Sequence, residues 1–144
     1  MRQRIEKHKR MRPADWATLE ADTDIGTRIS QKIGGAQTVI VDCITLLVNN
    51  IFNQCSDRAG QLQDTSFIEQ ELVTEISGLT DCMHRTDADF IIVTNEVGLG
   101  LVPDNRLGRL YRDLLGRANQ MLAQAVDEVY LMVAGLPVRI KPSA

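Results

Sequence analysis

Thr38-Val39-Ile40-Val41-Asp42 is the stretch on which the fold turns. Three β-branched apolar residues in a row, closed by an aspartate, read as a strand without polar alternation. A continuous apolar strand of this kind fits a parallel sheet covered on both faces. Asp89 to Thr94 repeats the pattern around Phe90-Ile91-Ile92-Val93, Val129 to Val133 gives a third strand, and Val138 to Ile140 is a candidate fourth. Helical patterns fill the intervals. Ile25, Ile29 and Ile33 predict a helix over Asp24 to Ile33, stopped by Gly34-Gly35. Leu46 to Phe52 starts another, and Ile68, Leu72, Ile76 and Leu79 share one face of a helix over Thr65 to Met83. From Asn105 to Val126 the residues Leu107, Leu110, Tyr111, Leu114, Leu115, Ala118, Met121, Leu122 and Ala125 keep i, i+3, i+4, i+7 spacing unbroken. Strands alternating with helices predict an α/β fold whose mainly parallel sheet holds the first three strands and takes the leucine face of the long helix. Arg2 to Lys9 reads as a short helix ended by Pro13, Asp15 to Thr23 as irregular, and Asn53 to Gln63 as a polar loop.

Length and composition set the outer bounds. A chain of 144 residues suits a single domain, 1–144, and its 44% apolar and 24% charged content is that of a globular protein rather than a disordered one. Every apolar run falls far short of the ~20 residues a membrane span needs. Three cysteines, Cys43, Cys55 and Cys82, are too scattered for a disulfide framework, so a cytoplasmic setting is the expectation. Six aromatic residues argue against base stacking on a sheet surface. The net charge of −3 hides an asymmetry: Met1 to Pro13 carries +5 and the remainder −8. A basic segment on an acidic body is a solvated helix face, a nucleic-acid contact, or a cradle for a nucleotide's phosphates. The −8 body would repel a polyphosphate backbone, which disfavours nucleic acid.

Chemistry in such folds gathers at the carboxyl ends of the strands. The first strand runs directly into Asp42, either a turn residue or the carboxylate that a P-loop nucleotidase presents to Mg²⁺. The second ends in Thr94-Asn95-Glu96, followed by Val97-Gly98-Leu99-Gly100-Leu101-Val102-Pro103. Its two glycines suit a close backbone approach to a ligand and a plain tight loop equally well. Asn95 and Glu96 are placed to cap the sheet or to bind. His84, alone near a helix end, reads as a surface residue. The 144 residues contain no G-x-x-x-x-G-K-[ST], G-x-G-x-x-G, H-E-x-x-H or G-x-S-x-G string.

Three stretches taken together say more. Arg4-Ile5-Glu6-Lys7-His8-Lys9-Arg10-Met11-Arg12-Pro13-Ala14-Asp15-Trp16-Ala17-Thr18-Leu19-Glu20 resembles an R-I-x-x-H-x-x-x-R-P-x-x-W-x-T-x-E signature. Val41-Asp42-Cys43-Ile44-Thr45-Leu46 resembles a second block. Thr94 to Pro103, continuing through Arg112-Asp113, Gly116 and Asn119-Gln120 to Ala134-Gly135, resembles a third. The family so resembled is the bifunctional adenosylcobinamide kinase/adenosylcobinamide-phosphate guanylyltransferase of adenosylcobalamin biosynthesis. The resemblance implies an α/β, P-loop-NTPase-like three-layer fold. It implies phosphorylation of adenosylcobinamide with ATP or GTP. It also implies guanylyl transfer from GTP to the phosphate, giving adenosylcobinamide-GDP through a GMP–histidine intermediate. The histidine falls on His8, whose cationic neighbours favour the neutral, nucleophilic imidazole and stabilise the departing pyrophosphate. Nucleotide contacts fall on Lys9, Arg10, Met11 and Arg12, and two site carboxylates on Glu20 and Asp42, with purine recognition and Mg²⁺ binding as the chemical jobs open to them. Mg²⁺ arrives with the nucleotide, and the assembly implied is a homotrimer with no nucleic-acid partner and no membrane span.

The sequence departs from the family at one end. Family members carry a strand, a G-G-x-R-S-G-K-S P-loop and a helix upstream of R-I-x-x-H. In this chain the N-terminal strand and P-loop are missing, roughly 40 residues of a β-α-β unit. The expectation is that Met1 corresponds to an internal methionine of a longer protein. The competing reading is a catalytically dead remnant that binds nucleotide or corrinoid without turnover.

Overall fold

The computed structural model describes residues 12–55 and 64–142. The sequence-based helix over Arg2 to Lys9, the residues His8, Lys9, Arg10 and Met11, and most of the polar loop ending at Gln63 lie outside the described residues.

The chain orders its elements as α1 (Ile25–Lys32), β1 (Thr38–Asp42), α2 (Ile44–Gln54), α3 (Thr65–Arg85), β2 (Asp89–Val93), a 3₁₀ turn (Val97–Leu99), α4 (Arg106–Ala125), β3 (Val129–Val133) and β4 (Leu136–Lys141). The amphipathic periodicities locate α1, α3 and α4 to within a residue or two. Helix α2 runs further than the apolar pattern suggests, through Asn53 and Gln54, because Cys55 at its end is itself buried and draws the polar turn along.

β1 and β2 pair in parallel, Thr38 opposite Asp89 and, at the other end, Asp42 opposite Val93. Helices α2 and α3 supply the crossover between them, the long connection that a parallel pair requires. All four helices share one core. Ile25 and Ile29 of α1, Ile44, Leu47, Val48 and Ile51 of α2, Ile68, Leu72, Ile76 and Leu79 of α3, and Leu114, Leu115, Ala118 and Leu122 of α4 are buried together. Val39, Val41, Phe90 and Ile92 add the inner face of the parallel pair. No polar or charged residue is buried among the described residues, so packing rather than a polar network holds these elements together.

Two sequence-based expectations are corrected here. Among the described residues β3 does not join the parallel sheet; it forms a separate antiparallel pair with β4, Val133 opposite Leu136. The reason is local. Ala134 and Gly135 both have positive φ (51° and 80°), the two-residue turn whose twist matches a tight hairpin, and it folds β4 back along β3. The second correction concerns coverage. The apolar runs of β1 and β2 predict cover on both faces, yet each strand alternates exposed and half-buried residues, and Ile40, Ile91 and Val93 face outward uncovered among the described residues.

The closest helix contact is between α1 and α3. A Cβ added to Gly26 would sit 2.2 Å from the Gly78 carbonyl oxygen, so the crossing exists only because position 26 has no side chain. The start of α1 is capped from the same helix. Asp24, at φ 55°, offers α1 no side-chain cap, and Glu75 instead accepts from the backbone N–H of Asp24 (2.9 Å) and of Ile25 (2.8 Å). A Cβ on Gly78 meets nothing within 4 Å. Two substitutions therefore go in opposite directions. Gly26→Ala is expected to lower Tm by roughly 5–10 °C through overpacking. Gly78→Ala is expected to raise stability by ~0.5–1 kcal/mol, since it removes a helical glycine without a clash. Thermal and urea unfolding of both variants checks the pair.

Candidate functional site

The parallel pairing sets the carboxyl ends of β1 and β2 side by side. Asp42 is opposite Val93, so the segment that follows Val93 leaves the sheet beside the Asp42 carboxylate. Asp42 is solvent-exposed, as a carboxylate that meets a ligand must be. The Asp42–Cys43 peptide is cis, and α2 begins at the next residue. Cys43 provides α2 with no side-chain cap, which leaves that helix start without a carboxylate or hydroxyl of its own. Within its first turn the Thr45 hydroxyl is buried with no hydrogen-bond partner among the described residues, while the Thr45 carbonyl accepts from the Tyr111 hydroxyl at 3.1 Å. Burial, and secondly the charge of nearby Cys43, push the Tyr111 phenol above its ordinary pKa, so it remains a donor at neutral pH. Tyr111 also meets Phe52 edge-to-face, tying the second turn of α4 to both ends of α2.

The loop after β2 is latched to α4 rather than left free. The Thr94 hydroxyl donates to Asn119 Oδ1 (2.7 Å), and Asn119 Nδ2 donates to the Asn95 carbonyl (3.0 Å). Glu96 Oε1 accepts from the Gly98 N–H at 2.8 Å and so caps the 3₁₀ turn. Arg112 Nη2 donates to the Gly98 carbonyl at 2.8 Å. A Cβ on Gly98 would lie 2.5 Å from Glu96 Oε1, so this glycine serves the cap. Glu96 thus caps the 3₁₀ turn that follows the strand rather than the edge of the sheet. Further on, Asn105 accepts from the Gly108 N–H at 2.7 Å to start α4, and Arg109 Nη1 donates to the carbonyls of Pro103 (3.0 Å) and Asp104 (2.7 Å).

Of the sequence-based site residues, Arg12, Glu20 and Asp42 are described. Arg12 Nη1 donates to the Thr18 hydroxyl at 3.0 Å across a turn in which the Trp16 N–H bonds the Pro13 carbonyl at 3.2 Å. The spacing of arginine, proline, tryptophan and threonine is thus partly a local folding device. Glu20 is exposed on the segment that follows, where Leu19 and Ala21 rest on the core and the Asp22 carbonyl accepts from Asn50 of α2 at 3.1 Å. The segment bearing Glu20 is therefore tied to α2 at Asn50, in the second half of that helix. His84 lies exposed in the last turn of α3, as read from the sequence. An open cleft of about 400 Å³ between the start of α3 and α4 is lined by Glu69, Gly98, Arg112, Asp113, Arg117 and Gln120. Sequence reasoning assigned no role to Arg112 or Asn119, and their spacing within an amphipathic helix gives no sign that they reach a loop on another element.

These features define a class: an α/β protein with an exposed aspartate and a braced loop at the carboxyl ends of paired parallel strands, where ligands of such folds bind. Residues 1–140 match the family described as cobinamide kinase / cobinamide phosphate guanyltransferase. The chain is 39% identical over 142 residues to the bifunctional adenosylcobalamin biosynthesis protein CobU of Escherichia coli, spanning 98% of this chain and 78% of that protein. It is 40% identical to CobU of Salmonella typhimurium over the same shares. It is 33% identical to the bifunctional adenosylcobalamin biosynthesis protein CobP of Pseudomonas aeruginosa, over 98% of this chain and 75% of that protein. This chain belongs to the cobinamide kinase/cobinamide phosphate guanyltransferase family.

The latch makes a direct expectation. Asn119→Ala removes both bonds to Thr94 and Asn95 and is expected to destabilise by ~1–2 kcal/mol. Amide exchange at Gly98 and Gly100 should accelerate while exchange in α3 stays unchanged, as read by hydrogen exchange with mass spectrometry.

Proposed function

We propose that this protein phosphorylates adenosylcobinamide with ATP or GTP and transfers GMP from GTP to adenosylcobinamide phosphate, giving adenosylcobinamide-GDP in cobalamin biosynthesis. The observation that carries the reading is the family match over residues 1–140, which contains the whole R-I-x-x-H string. In the guanylyl half-reaction the neutral His8 imidazole attacks the α-phosphorus of GTP. A nitrogen–phosphorus bond forms, the bond to the bridging oxygen breaks, and pyrophosphate leaves. A phosphate oxygen of adenosylcobinamide phosphate then attacks the same phosphorus and releases His8. Lys9, Arg10 and Arg12 neutralise the phosphates, with Met11 among them at the nucleotide.

Mg²⁺ enters as the nucleotide complex. Among the described residues no three His, Cys, Asp or Glu side chains gather into a metal site. A magnesium ion held mainly by phosphate oxygens needs only one or two carboxylates from the protein, and Asp42, exposed at its strand end, fits that role. Glu20 is the second site carboxylate. The protein acts as a homotrimer in the cytoplasm; no helix among the described residues is long and apolar enough to cross a membrane.

Incubating protein extended to the full family length with GTP labelled in its α-phosphate tests the mechanism. Acid-labile, base-stable label should remain on the protein, disappear in His8→Ala and persist in His84→Ala. Label persisting in His8→Ala overturns the assignment. Asp42→Asn should reduce labelling by an order of magnitude or more with Tm nearly unchanged, because the lost charge sits at the surface. The absence of a G-x-x-x-x-G-K-[ST] string from these 144 residues favours one further expectation. On their own they should bind GTP weakly and show no measurable adenosylcobinamide phosphorylation, since each missing charge-assisted phosphate bond is worth ~1.5–3 kcal/mol.

A further inference from the structure

Arg112-Asp113, Gly116 and Asn119-Gln120 share a sequence block with Thr94 to Pro103, yet the guanylyl reaction uses none of them. Asn119 latches the loop after β2, and the others meet at the open cleft of about 400 Å³ between the start of α3 and α4. Gly98 lines the same cleft, so it opens on the loop that leaves the sheet beside Asp42. The lining is balanced in charge. Arg112 and Arg117 stand against Glu69 and Asp113, a net charge of zero. A triphosphate gains little there, because each cation is offset by a carboxylate. An uncharged ligand rich in donors and acceptors gains from every group: the carboxylates accept, the guanidinium groups donate and Gln120 does both. Most of these groups are also uncommitted. Asp113 and Arg117 have the i, i+4 spacing of a helical ion pair but do not pair, and Glu69 and Gln120 have no side-chain hydrogen bond or ion pair among the described residues.

Gly116 bears on what the cleft is for. A glycine inside a helix costs stability, and a Cβ at Gly116 meets nothing within 4 Å, so the fold does not require it. Gly26 and Gly108 differ, since a Cβ on them would lie 2.2 Å from the Gly78 carbonyl oxygen and 2.7 Å from Pro103. Gly78 is equally free of neighbours but lies exposed, whereas Gly116 is half-buried in the cleft. What the glycine preserves is the open space in front of it. Directly after Gly98, Leu99 and Leu101 are 75% and 97% exposed, on a loop braced by Glu96, Arg112 and Arg109. Apolar side chains held out into water on a braced loop are fitted to cover an apolar surface.

We propose that this cleft is the acceptor subsite: it takes the carboxamide-bearing edge of cobinamide, a corrin macrocycle rimmed with primary amides, while Leu99 and Leu101 lie against the apolar face of the macrocycle. The inference rests on the proposed reaction, which supplies the acceptor. The macrocycle is larger than the cleft, and the cleft is open, so it holds part of the rim and leaves the bulk outside. Nucleotide at Asp42 and acceptor at Gly98 then meet across the carboxyl ends of β1 and β2.

Titrating the protein with adenosylcobinamide in the dark, followed by two-dimensional amide NMR, tests this. The amides of Gly98, Leu99, Arg112, Asp113, Gly116 and Arg117 should shift saturably, and inorganic tripolyphosphate at the same concentrations should leave them unmoved. Gly116→Leu should weaken cobinamide binding about tenfold or more with Tm at or above that of the parent, because the new side chain fills the cleft and removes a helical glycine. Arg117→Ala and Gln120→Ala, both at exposed positions, should each weaken it roughly threefold to tenfold with Tm unchanged, and they decide the matter should Gly116→Leu fail to fold. Cobinamide that binds with the cleft amides silent, or with full affinity for these variants, overturns the inference and leaves the proposed reaction standing. Absence of cobinamide binding overturns it too, while the reaction itself is judged separately by the GMP label on His8. Tripolyphosphate that shifts the cleft amides makes this a phosphate site and overturns the inference equally.

Discussion

Val39, Ile40 and Val41 laid in parallel register against Phe90, Ile91 and Ile92 are what the rest of the structure depends on. A parallel pair cannot close through a short turn, so the chain must spend α2 and α3 on the crossover. Those helices then become the walls of the core, through Ile44, Leu47, Val48 and Ile51 on one and Ile68, Leu72, Ile76 and Leu79 on the other. The register has a second consequence. Because Asp42 is opposite Val93, the start of α2 and the loop from Thr94 to Pro103 emerge at the same end of the sheet. Strand pairing alone brings these two segments together, before any ligand contact is considered.

Helix α4 converts this arrangement into a rigid frame. Its inner face is buried with α2 and α3, and its polar positions reach outward to fix the loops on either side. Arg112 and Asn119 hold the segment after β2, Tyr111 holds the first turn of α2, and the last carbonyls are closed by Lys141. A loop held by several polar bonds to one helix is pre-organised, so a ligand binding there meets less ordering entropy. The apolar stripe and the polar stripe of α4 therefore do different work: one stabilises the domain, the other sets the shape of the strand ends.

Much of this was legible in the sequence wherever the signal is local. The spacings of Ile25, Ile29 and Ile33, of Ile68 to Leu79 and of Leu110 to Leu122 locate three helices because a 3.6-residue period needs only neighbouring residues to be seen. Asp42 was recognisable as a strand-end carboxylate for the same reason. Strand partnership was not. Val129 to Val133 looks like β1 and β2 in composition, and only the positive φ angles of Ala134 and Gly135 turn it toward β4. The uncovered face of β1 and β2 was equally hidden, since an apolar strand reads the same whether or not something covers it. Glu96 and Gly98 show how a motif divides: the pair that looks ready for a ligand is occupied with its own 3₁₀ turn, and the bracing comes from Asn119 and Arg112, more than a dozen residues away.

Nucleotide binding is proposed at the carboxyl ends of β1 and β2. A two-dimensional amide NMR titration of the protein with Mg²⁺–GTP tests this most directly, because it registers weak binding and needs no turnover. The expected result is progressive shifts at Asp42 to Leu46 and at Thr94 to Gly98, with residues 34–38 and 86–89 at the opposite end of the strands unmoved. Shifts confined to that opposite end, or to the cleft beside Arg117 with Asp42 to Leu46 silent, would contradict it.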